Sequence, residues 1–181
     1  MKRPLIAVFG SSAPREDDPA YRRALQLGRA LGRGGADVMT GGYGGAMEAC
    51  SRGCHETGGK VVGVTVELYR QRGGANPWVD ERVHTRDLFE RLRHLIDCAD
   101  GFIALPGSVG TFAELFLTWT LLSARGRPAA PLVLCGEPWE EHLTLLKRSE
   151  SFGAQLCATV QTARDPDGAA RKVLEGVAAP H

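Results

Sequence analysis

The chain has 181 residues, which is enough for one domain with a substantial hydrophobic core. Hydrophobic residues make up 43% and charged residues 24%, as in ordinary globular proteins, and a formal net charge of +1 gives no electrostatic signature of nucleic-acid binding. No apolar run is long enough for a transmembrane helix, and residues 1–4 lead into a strand-like segment without a signal-peptide cleavage pattern. We therefore expect one cytoplasmic domain covering residues 1–181, with neither a nucleic-acid polymer nor a membrane as partner.

Predicted strands and helices alternate along the chain. The first elements in chain order are strand 5–9, helix 21–31, strand 36–39, helix 46–55, strand 61–66, a polar loop at 69–83 and helix 85–98. The remaining elements are strand 101–105, helix 112–122, strand 132–134, helix 139–147, strand 156–160 and helix 169–177. Alternation of this kind predicts an α/β fold with a Rossmann-like, doubly wound parallel sheet and helices on both faces.

Three of the predicted strands end in small or glycine-rich turns, at residues 10–12, 41–45 and 107–110. Ligands of doubly wound sheets bind at the carboxyl ends of strands, so these turns can converge on one crevice. Four glycines within residues 41–45 exceed what one tight turn requires, which favours close approach of the backbone to a ligand. Neither a Gly-x-Gly-x-x-Gly fingerprint nor a Walker A loop is present, so dinucleotide and NTP-hydrolysing functions are weakly supported.

The most informative segment is residues 105–114, which read Leu-Pro-Gly-Ser-Val-Gly-Thr-Phe-Ala-Glu between a predicted strand and a predicted helix. Such a turn leaves backbone N–H groups unpaired at the helix start, and together with the helix dipole they form a phosphate-sized anion site. Glu114 follows one turn later on the same side, which suggests chemistry on a phosphorylated substrate. The expected phosphate ligands are Gly107, Ser108, Val109, Gly110 and Thr111.

This decapeptide resembles the Pro-Gly-Gly-x-Gly-Thr-x-x-Glu motif of the Lonely Guy (LOG) family, whose members are nucleoside 5′-monophosphate phosphoribohydrolases that are often mislabelled as lysine decarboxylases. The resemblance covers about 130 residues. Residues 8–12 are similar to the family's first strand and turn, and residues 40–49 to its second glycine loop. This chain departs from the family pattern at Ser108, which replaces a glycine, at Leu92, which replaces the lysine of an Arg-Lys pair, and in a glycine loop shorter by one residue.

The resemblance implies a homodimer that hydrolyses the N-glycosidic bond of a nucleoside monophosphate. It implies catalytic roles for two residues. Glu114 would stabilise oxocarbenium-like charge or activate water, and Arg91 would orient Glu114 or bind a substrate oxygen. The alternatives are a non-catalytic nucleotide-binding or carrier protein, which Ser108 and Leu92 favour, and an interaction protein with a vestigial pocket. The further nucleotide-binding positions are Gly10, Ser11, Gly41, Gly42, Gly44, Gly45 and Met47.

Plainer structural roles compete with these assignments. Thr111 and Glu114 also fit a capping box, in which the glutamate hydrogen-bonds the helix start and performs no chemistry. Arg91 can equally be a solvated arginine whose stem packs along an apolar helix stripe. Ser11 fits either a helix cap or a phosphate contact. The sequence alone leaves each pair of alternatives open.

No metal and no cofactor is predicted. Cys50, Cys54 and the adjacent His55 lack the second ligand pair of a zinc site, and we expect all five cysteines to be free and mostly buried. The histidines, including His181, match no metal or triad spacing and are expected to be solvated. A pyridoxal-phosphate enzyme needs a Schiff-base lysine, but none of the chain's lysines lies in or next to a glycine loop.

The predicted helix 112–122 is apolar nearly all round. A helix of this kind must be covered on two sides, and one sheet covers only one of them. We expect a homodimer with this helix at or near the interface, although a neighbouring helix of the same chain is the alternative cover. One side carries Phe112, Leu115, Phe116, Trp119 and Leu122, and the other carries Leu117 and Leu121.

Overall fold

The computed structural model describes residues 2–124, 130–149 and 154–179. Within these residues, seven parallel strands form one sheet in the order β4–β3–β2–β1–β5–β6–β7. The strands are β1 (Leu5–Phe9), β2 (Asp37–Thr40), β3 (Val61–Val66), β4 (Glu81–Thr85), β5 (Gly101–Ala104), β6 (Leu132–Cys135) and β7 (Gln161–Ala163). The doubly wound parallel sheet predicted from the alternation of elements is confirmed.

Helices cover both faces of the sheet, which explains why the central strands are apolar throughout. The helices are α1 (Pro19–Arg33), α2 (Ala46–Glu56), α3 (Leu88–Asp97), α4 (Val109–Ala124), α5 (Pro138–Arg148), α6 (Ala154–Cys157) and α7 (Pro166–Ala178). Side chains of β1 alternate between two core clusters: Ile6 and Val8 pack with α1, α2 and α7, whereas Ala7 and Phe9 pack with α3, α4 and α5.

The order of the strands reverses at β1. Strands β2, β3 and β4 follow on one side of β1, and β5 pairs with its other side, with Phe9 opposite Ala104. Loops that leave the carboxyl ends of β1 and β5 therefore diverge toward opposite layers. The crevice between them is the usual ligand position in a doubly wound fold.

Two predicted elements are wrong. Residues 69–83, predicted to be a loop, include the end of a 3-10 helix (Glu67–Arg72) and the start of β4. Strand β4 lies at the sheet edge with mostly exposed polar side chains, so it lacks the apolar run by which the other strands were recognised. Residues 156–160, predicted to be a strand, hold the end of α6 and a turn, and β7 begins only at Gln161.

Several helix starts also differ from the prediction: α3, α4 and α7 each begin three residues away from the predicted start, whereas α1 begins two residues earlier and α5 one residue earlier. Helix α3 begins at Leu88 because the Asp87 carboxylate accepts the Glu90 backbone N–H at 2.8 Å and caps the helix. Helix α4 begins at Val109, three residues before its predicted start, so the second half of the glycine-rich motif forms its first turn. Among the described residues, no helix is long and apolar enough to cross a membrane.

Candidate active site

Two charged side chains are buried at the carboxyl edge of the sheet, and they pair with each other. Arg91 of α3 is 6% exposed and Glu114 of α4 is 8% exposed. The Arg91 Nη1 donates to Glu114 Oε1 at 3.0 Å, and the Arg91 Nε donates to the Val64 carbonyl oxygen of β3 at 2.8 Å. A solvated Arg91 packed along a helix stripe is therefore excluded, and the side chain spans from α3 to the carboxylate on α4.

The capping box at Thr111 and Glu114 does not form. Helix α4 begins at Val109, so Thr111 lies inside the helix instead of preceding it. The Glu114 side chain accepts a hydrogen bond from Arg91 through Oε1. Among the hydrogen bonds between described residues, none involves Glu114 Oε2. One carboxylate oxygen is thus fixed by Arg91, and the other is available to a ligand.

Burial raises the pKa of Glu114, and the positive charge and hydrogen bond of Arg91 act in the opposite direction. The net shift is upward. The carboxyl group therefore holds a proton to higher pH than an exposed glutamate does. That direction suits a group that exchanges protons with a substrate near neutral pH.

Gly41 directly follows β2, and because it has no side chain, the Arg91 guanidinium fits against its backbone. A Cβ atom at this position would overlap the Arg91 Nη2 atom and would approach the Met47 Sδ to 2.6 Å. Gly45 has a φ of 73°, in the left-handed region, and a Cβ atom there would lie 2.5 Å from the Ser12 carbonyl carbon. These two glycines are therefore required by the protein's own packing.

The turns after β1, β2 and β5 lie together at one crevice. The Ala46 backbone N–H at the start of α2 donates to the Ser11 carbonyl oxygen at 2.8 Å. A Cβ atom at Gly10 would lie 3.0 Å from the Ala46 Cβ and 3.6 Å from a Leu105 methyl group. Ser11 is not a helix cap, because its hydroxyl oxygen accepts the Ala13 N–H at 3.1 Å and closes a local turn.

Two residues that the sequence analysis did not single out hold the second glycine loop in place. The Tyr43 hydroxyl accepts the Val66 N–H at 2.8 Å and donates to the Val66 carbonyl oxygen at 3.1 Å. Its ring lies 5.9 Å from the Arg91 guanidinium carbon. Asn76 donates its side-chain amide to the Tyr43 carbonyl and its backbone N–H to the Gly42 carbonyl. Asn76 lies in the segment predicted to be a loop, where no periodic pattern marks a residue as buried.

The motif turn after β5 is open to solvent. Ser108, Val109 and Gly110 are exposed, and a Cβ atom at Gly110 would meet nothing within 4 Å. The Phe112 N–H donates to the Ser108 carbonyl oxygen at 3.1 Å, so the N–H groups that precede it have no helical acceptor. Thr111 is buried beneath Gly107, where a Cβ atom would overlap its hydroxyl. The turn therefore presents unpaired donors on a backbone that a ligand can approach.

The cysteines and histidines build no further site in the described part of the chain. No group of three His, Cys, Asp or Glu side chains is placed to hold a metal ion among these residues. All five cysteines are free, and four are buried whereas Cys98 is exposed. His181 lies outside the described residues.

Comparison with known proteins places the chain in a family. A sequence model described as "possible lysine decarboxylase" matches residues 47–173. A Mycobacterium tuberculosis protein named cytokinin riboside 5′-monophosphate phosphoribohydrolase is 34% identical over 137 residues, which cover 74% of this chain and 71% of the relative. The chain belongs to the LOG family.

Other LOG relatives match over a smaller share of their own length. The Arabidopsis thaliana protein named cytokinin riboside 5′-monophosphate phosphoribohydrolase LOG7 is 34% identical over 72% of this chain and 62% of the relative. A Mycobacterium marinum protein of the same enzyme name is 37% identical over 64% of this chain and 62% of the relative. The chain thus spans about 60 to 70% of these curated relatives.

Solved structures support the same fold over nearly the whole chain. The molybdenum cofactor carrier protein of Chlamydomonas reinhardtii superposes with a TM-score of 0.73 at 24% identity, covering 98% of this chain and 100% of that protein. A molybdenum cofactor binding protein of Rippkaea orientalis gives a TM-score of 0.70 at 23% identity, with 93% of each chain covered. At these identities the likeness establishes the fold alone.

The outer side of α4 is only partly covered. Leu115 and Trp119 are buried beneath the helix, whereas Leu117 is 37% exposed. Helix α3 flanks that side and presents Phe89, which is 79% exposed, beside Leu117 and Leu121. A neighbouring helix of the same chain thus supplies part of the cover, and an apolar patch persists between α3 and α4.

Proposed function

We propose that this LOG-family protein hydrolyses the N-glycosidic bond of a nucleoside 5′-monophosphate and releases the free base and ribose 5-phosphate. The observation that carries the proposal is the buried Arg91–Glu114 pair, one turn beyond a glycine-rich turn with unpaired N–H donors. The enzyme name of the mycobacterial and plant relatives supports the same reaction.

In this proposal the 5′-phosphate binds the backbone donors at the start of α4. The N–H groups of residues 107–111 and the positive end of the helix dipole favour an anion there. Met47 and the glycine loop at residues 41–45 form the opposite side of the crevice, together with Gly10 and Ser11. Ser108 contributes its backbone N–H, so a serine in place of glycine leaves this contact intact.

Glu114 is the catalytic residue in this proposal. A water oxygen bonds to C1′ of the ribose while the bond from C1′ to the base nitrogen breaks. The electron pair goes to that nitrogen, which takes up a proton from solvent, and Glu114 afterwards returns the proton of the attacking water to solvent. Glu114 stabilises the oxocarbenium-like charge on the sugar and accepts a proton from the attacking water through the oxygen that Arg91 does not hold. Arg91 fixes the carboxylate in position through charge-assisted hydrogen bonds.

The test is incubation with a panel of nucleoside 5′-monophosphates, followed by chromatography for free base. We expect base release from at least one monophosphate and none from the matching nucleoside, because the backbone donors have no anion to bind in the nucleoside. Absence of base release across the whole panel would remove the enzymatic proposal.

The second candidate is a nucleotide-binding or carrier protein without catalysis. Leu92, which stands where the family pattern has a lysine, favours it, as does the fold shared with molybdenum cofactor carrier proteins. It predicts that a monophosphate binds to the crevice but stays intact. Calorimetric binding without chromatographic turnover distinguishes this candidate from the enzyme.

We also propose that residues 1–181 act as one nucleotide-binding domain that assembles as a homodimer. The support for the dimer is the apolar patch between α3 and α4, formed by exposed Phe89 and Leu117 with half-buried Leu121. Light scattering at micromolar concentration is the test, and a monomeric mass would contradict the dimer. Leu117→Glu should shift the mass to that of a monomer, whereas Leu145→Glu, at an exposed leucine of α5, should leave it unchanged.

A further inference from the structure

A small cavity adjoins the motif turn on the side away from the Arg91–Glu114 pair. It lies where β5 and β6 end, and the first turns of α1 and α2 close it. Its walls include Ala20, Ala46, Leu105 and Pro106, of which Pro106 leads directly into the turn at residues 107–111. The cavity thus shares two wall residues, Ala46 and Leu105, with the crevice at Gly10.

All the charge in the lining of this cavity is positive. Its two charged residues are Arg23 of α1 and Arg164, which follows β7, and no carboxylate is among the lining residues. Arg164 is neutralised locally, because its Nε and Nη2 donate to the two Glu140 carboxylate oxygens at 2.8 and 3.1 Å. Arg23 makes no hydrogen bond or ion pair among the described residues. Its guanidinium is therefore the charge of the cavity that has no ion-pair partner among the described residues.

The motif turn by itself offers no cation. Residues 107–111 contain no basic side chain, and Arg91 is committed to Glu114 and the Val64 carbonyl. A phosphate monoester carries a charge of about −1.5 to −2 near neutral pH. Backbone donors alone leave most of that charge uncompensated. A guanidinium, with its planar set of donors, is the side chain best suited to supply the missing interaction.

We propose that this cavity is a phosphate subsite in which Arg23 is the cationic ligand, with the ribose on the Glu114 side of the motif turn. The inference rests on the proposed function only in taking the ligand to be a nucleoside monophosphate. Arg23 binds the 5′-phosphate from α1 while the start of α4 binds it from the opposite side. Arg164, held by Glu140, forms the far wall of the cavity.

The chain offers a matched control for Arg23 at the preceding residue. Arg22 is also exposed on α1, but it donates to the Asp17 carbonyl oxygen and does not line the cavity. We would measure binding of ribose 5-phosphate, a nucleoside monophosphate and its nucleoside by calorimetry to the wild type, Arg23→Ala and Arg22→Ala. Arg23→Lys serves as the conservative variant, and the thermal midpoint confirms that each protein is folded.

Arg23→Ala should weaken binding of both phosphorylated ligands about tenfold or more, as expected for loss of a charge-assisted hydrogen bond. Arg22→Ala should bind them as the wild type does, Arg23→Lys should recover part of the loss, and nucleoside binding should not change. Three results would overturn the subsite. Arg23→Ala could bind ribose 5-phosphate with wild-type affinity, Arg22→Ala could lose as much affinity as Arg23→Ala, or the wild type could fail to bind ribose 5-phosphate. If phosphate binding depends on Arg23 but no base is ever released, the subsite stands and the hydrolase proposal fails.

Discussion

The two glycine-rich loops of the crevice use glycine for different reasons. In the loop at residues 41–45, Gly41 makes room for Arg91 and Gly45 adopts a left-handed conformation against Ser11 and Ser12. In the loop at residues 107–110, Gly110 is exposed, has no left-handed φ, and has no atom within 4 Å of a substituted Cβ. Gly41 and Gly45 are required by the protein's own packing, as is Gly107 above Thr111, whereas Gly110 is open toward whatever binds there.

This difference separates two uses of glycine in such motifs: a role in the protein's own packing and a role in ligand binding. Tyr43 and Asn76 fix the buried loop through four hydrogen bonds, so a change there should alter stability first and activity as a consequence. Gly110 of the exposed loop has no packing to lose, so a change at that position should alter ligand binding alone. Substitutions at each loop, with stability and activity measured separately, test this distinction.

The largest effect on stability is expected for Arg91→Ala. It leaves Glu114 buried without its partner and removes the side chain that fills the space beneath Gly41. Removal of one member of a buried pair costs about 3–5 kcal/mol in the free energy of unfolding. Denaturant unfolding measures the loss. Arg171→Ala, at an exposed arginine of α7, should change stability by no more than about 0.5 kcal/mol, and an equal loss in both variants would contradict the role of the pair.

Gly41→Ala should cost about 1–3 kcal/mol, because the added methyl group overlaps Arg91 and crowds Met47. The cost should shrink when Arg91 is also changed to alanine, since the clash then loses its main partner. A double-mutant cycle in denaturant measures this coupling. Strict additivity of the two substitutions would show that Gly41 is not shaped by Arg91.

The pH dependence of the free energy of unfolding should reflect the titration of the buried Glu114 carboxyl group. Because the pKa of Glu114 is raised in the folded protein, its stabilising contribution is complete below the unfolded pKa of about 4.3 and is lost as pH rises through the folded pKa. The unfolding free energy of the wild type relative to Glu114→Gln should therefore fall across this window. Glu90→Gln is the opposite control: the pKa of Glu90 is lowered by hydrogen bonds from Arg86, so its contribution is lost as pH falls. A difference between the wild type and Glu114→Gln that does not vary with pH would be inconsistent with a raised pKa.

The smallest effect on stability is expected for Gly110→Ala. The position lies in the first turn of α4 with open space around it, so alanine should change the free energy of unfolding by less than about 1 kcal/mol and can raise it. Any effect should fall on the affinity for a nucleoside monophosphate, measured by calorimetry. A loss of stability comparable to that of Gly41→Ala would mean that the two loops do not differ as described.

The fold and the location of the crevice were predictable because both depend on local patterns. Buried parallel strands appear as short apolar runs, and the carboxyl ends of such strands define where ligands bind. The missed strand β4 is exposed at the sheet edge, so Glu81–Thr85 carries the polar side chains that also mark a loop. The supporting roles of Tyr43 and Asn76 depend on contacts across more than 20 residues of chain, which no local pattern contains.

The burial of Arg91 also could not be predicted from a local sequence pattern. Its position beside an apolar helix stripe is equally compatible with a solvated side chain and with a buried one. Only the packing of α3 against β3 and α4 places its guanidinium between the Val64 carbonyl and Glu114. The start of α4 at Val109, which excludes the capping box at Thr111, is likewise a feature that the sequence pattern did not predict.

Base release by the wild type and by Glu114→Gln, with nucleotide binding measured on the same preparations, decides whether Glu114 is catalytic. We expect free base from a nucleoside monophosphate with the wild type and turnover lower by about a hundredfold or more with Glu114→Gln. Monophosphate affinity should be nearly unchanged, because the phosphate contacts lie on other residues. Wild-type turnover in Glu114→Gln, or a wild type that binds the monophosphate and never releases base, would contradict the account.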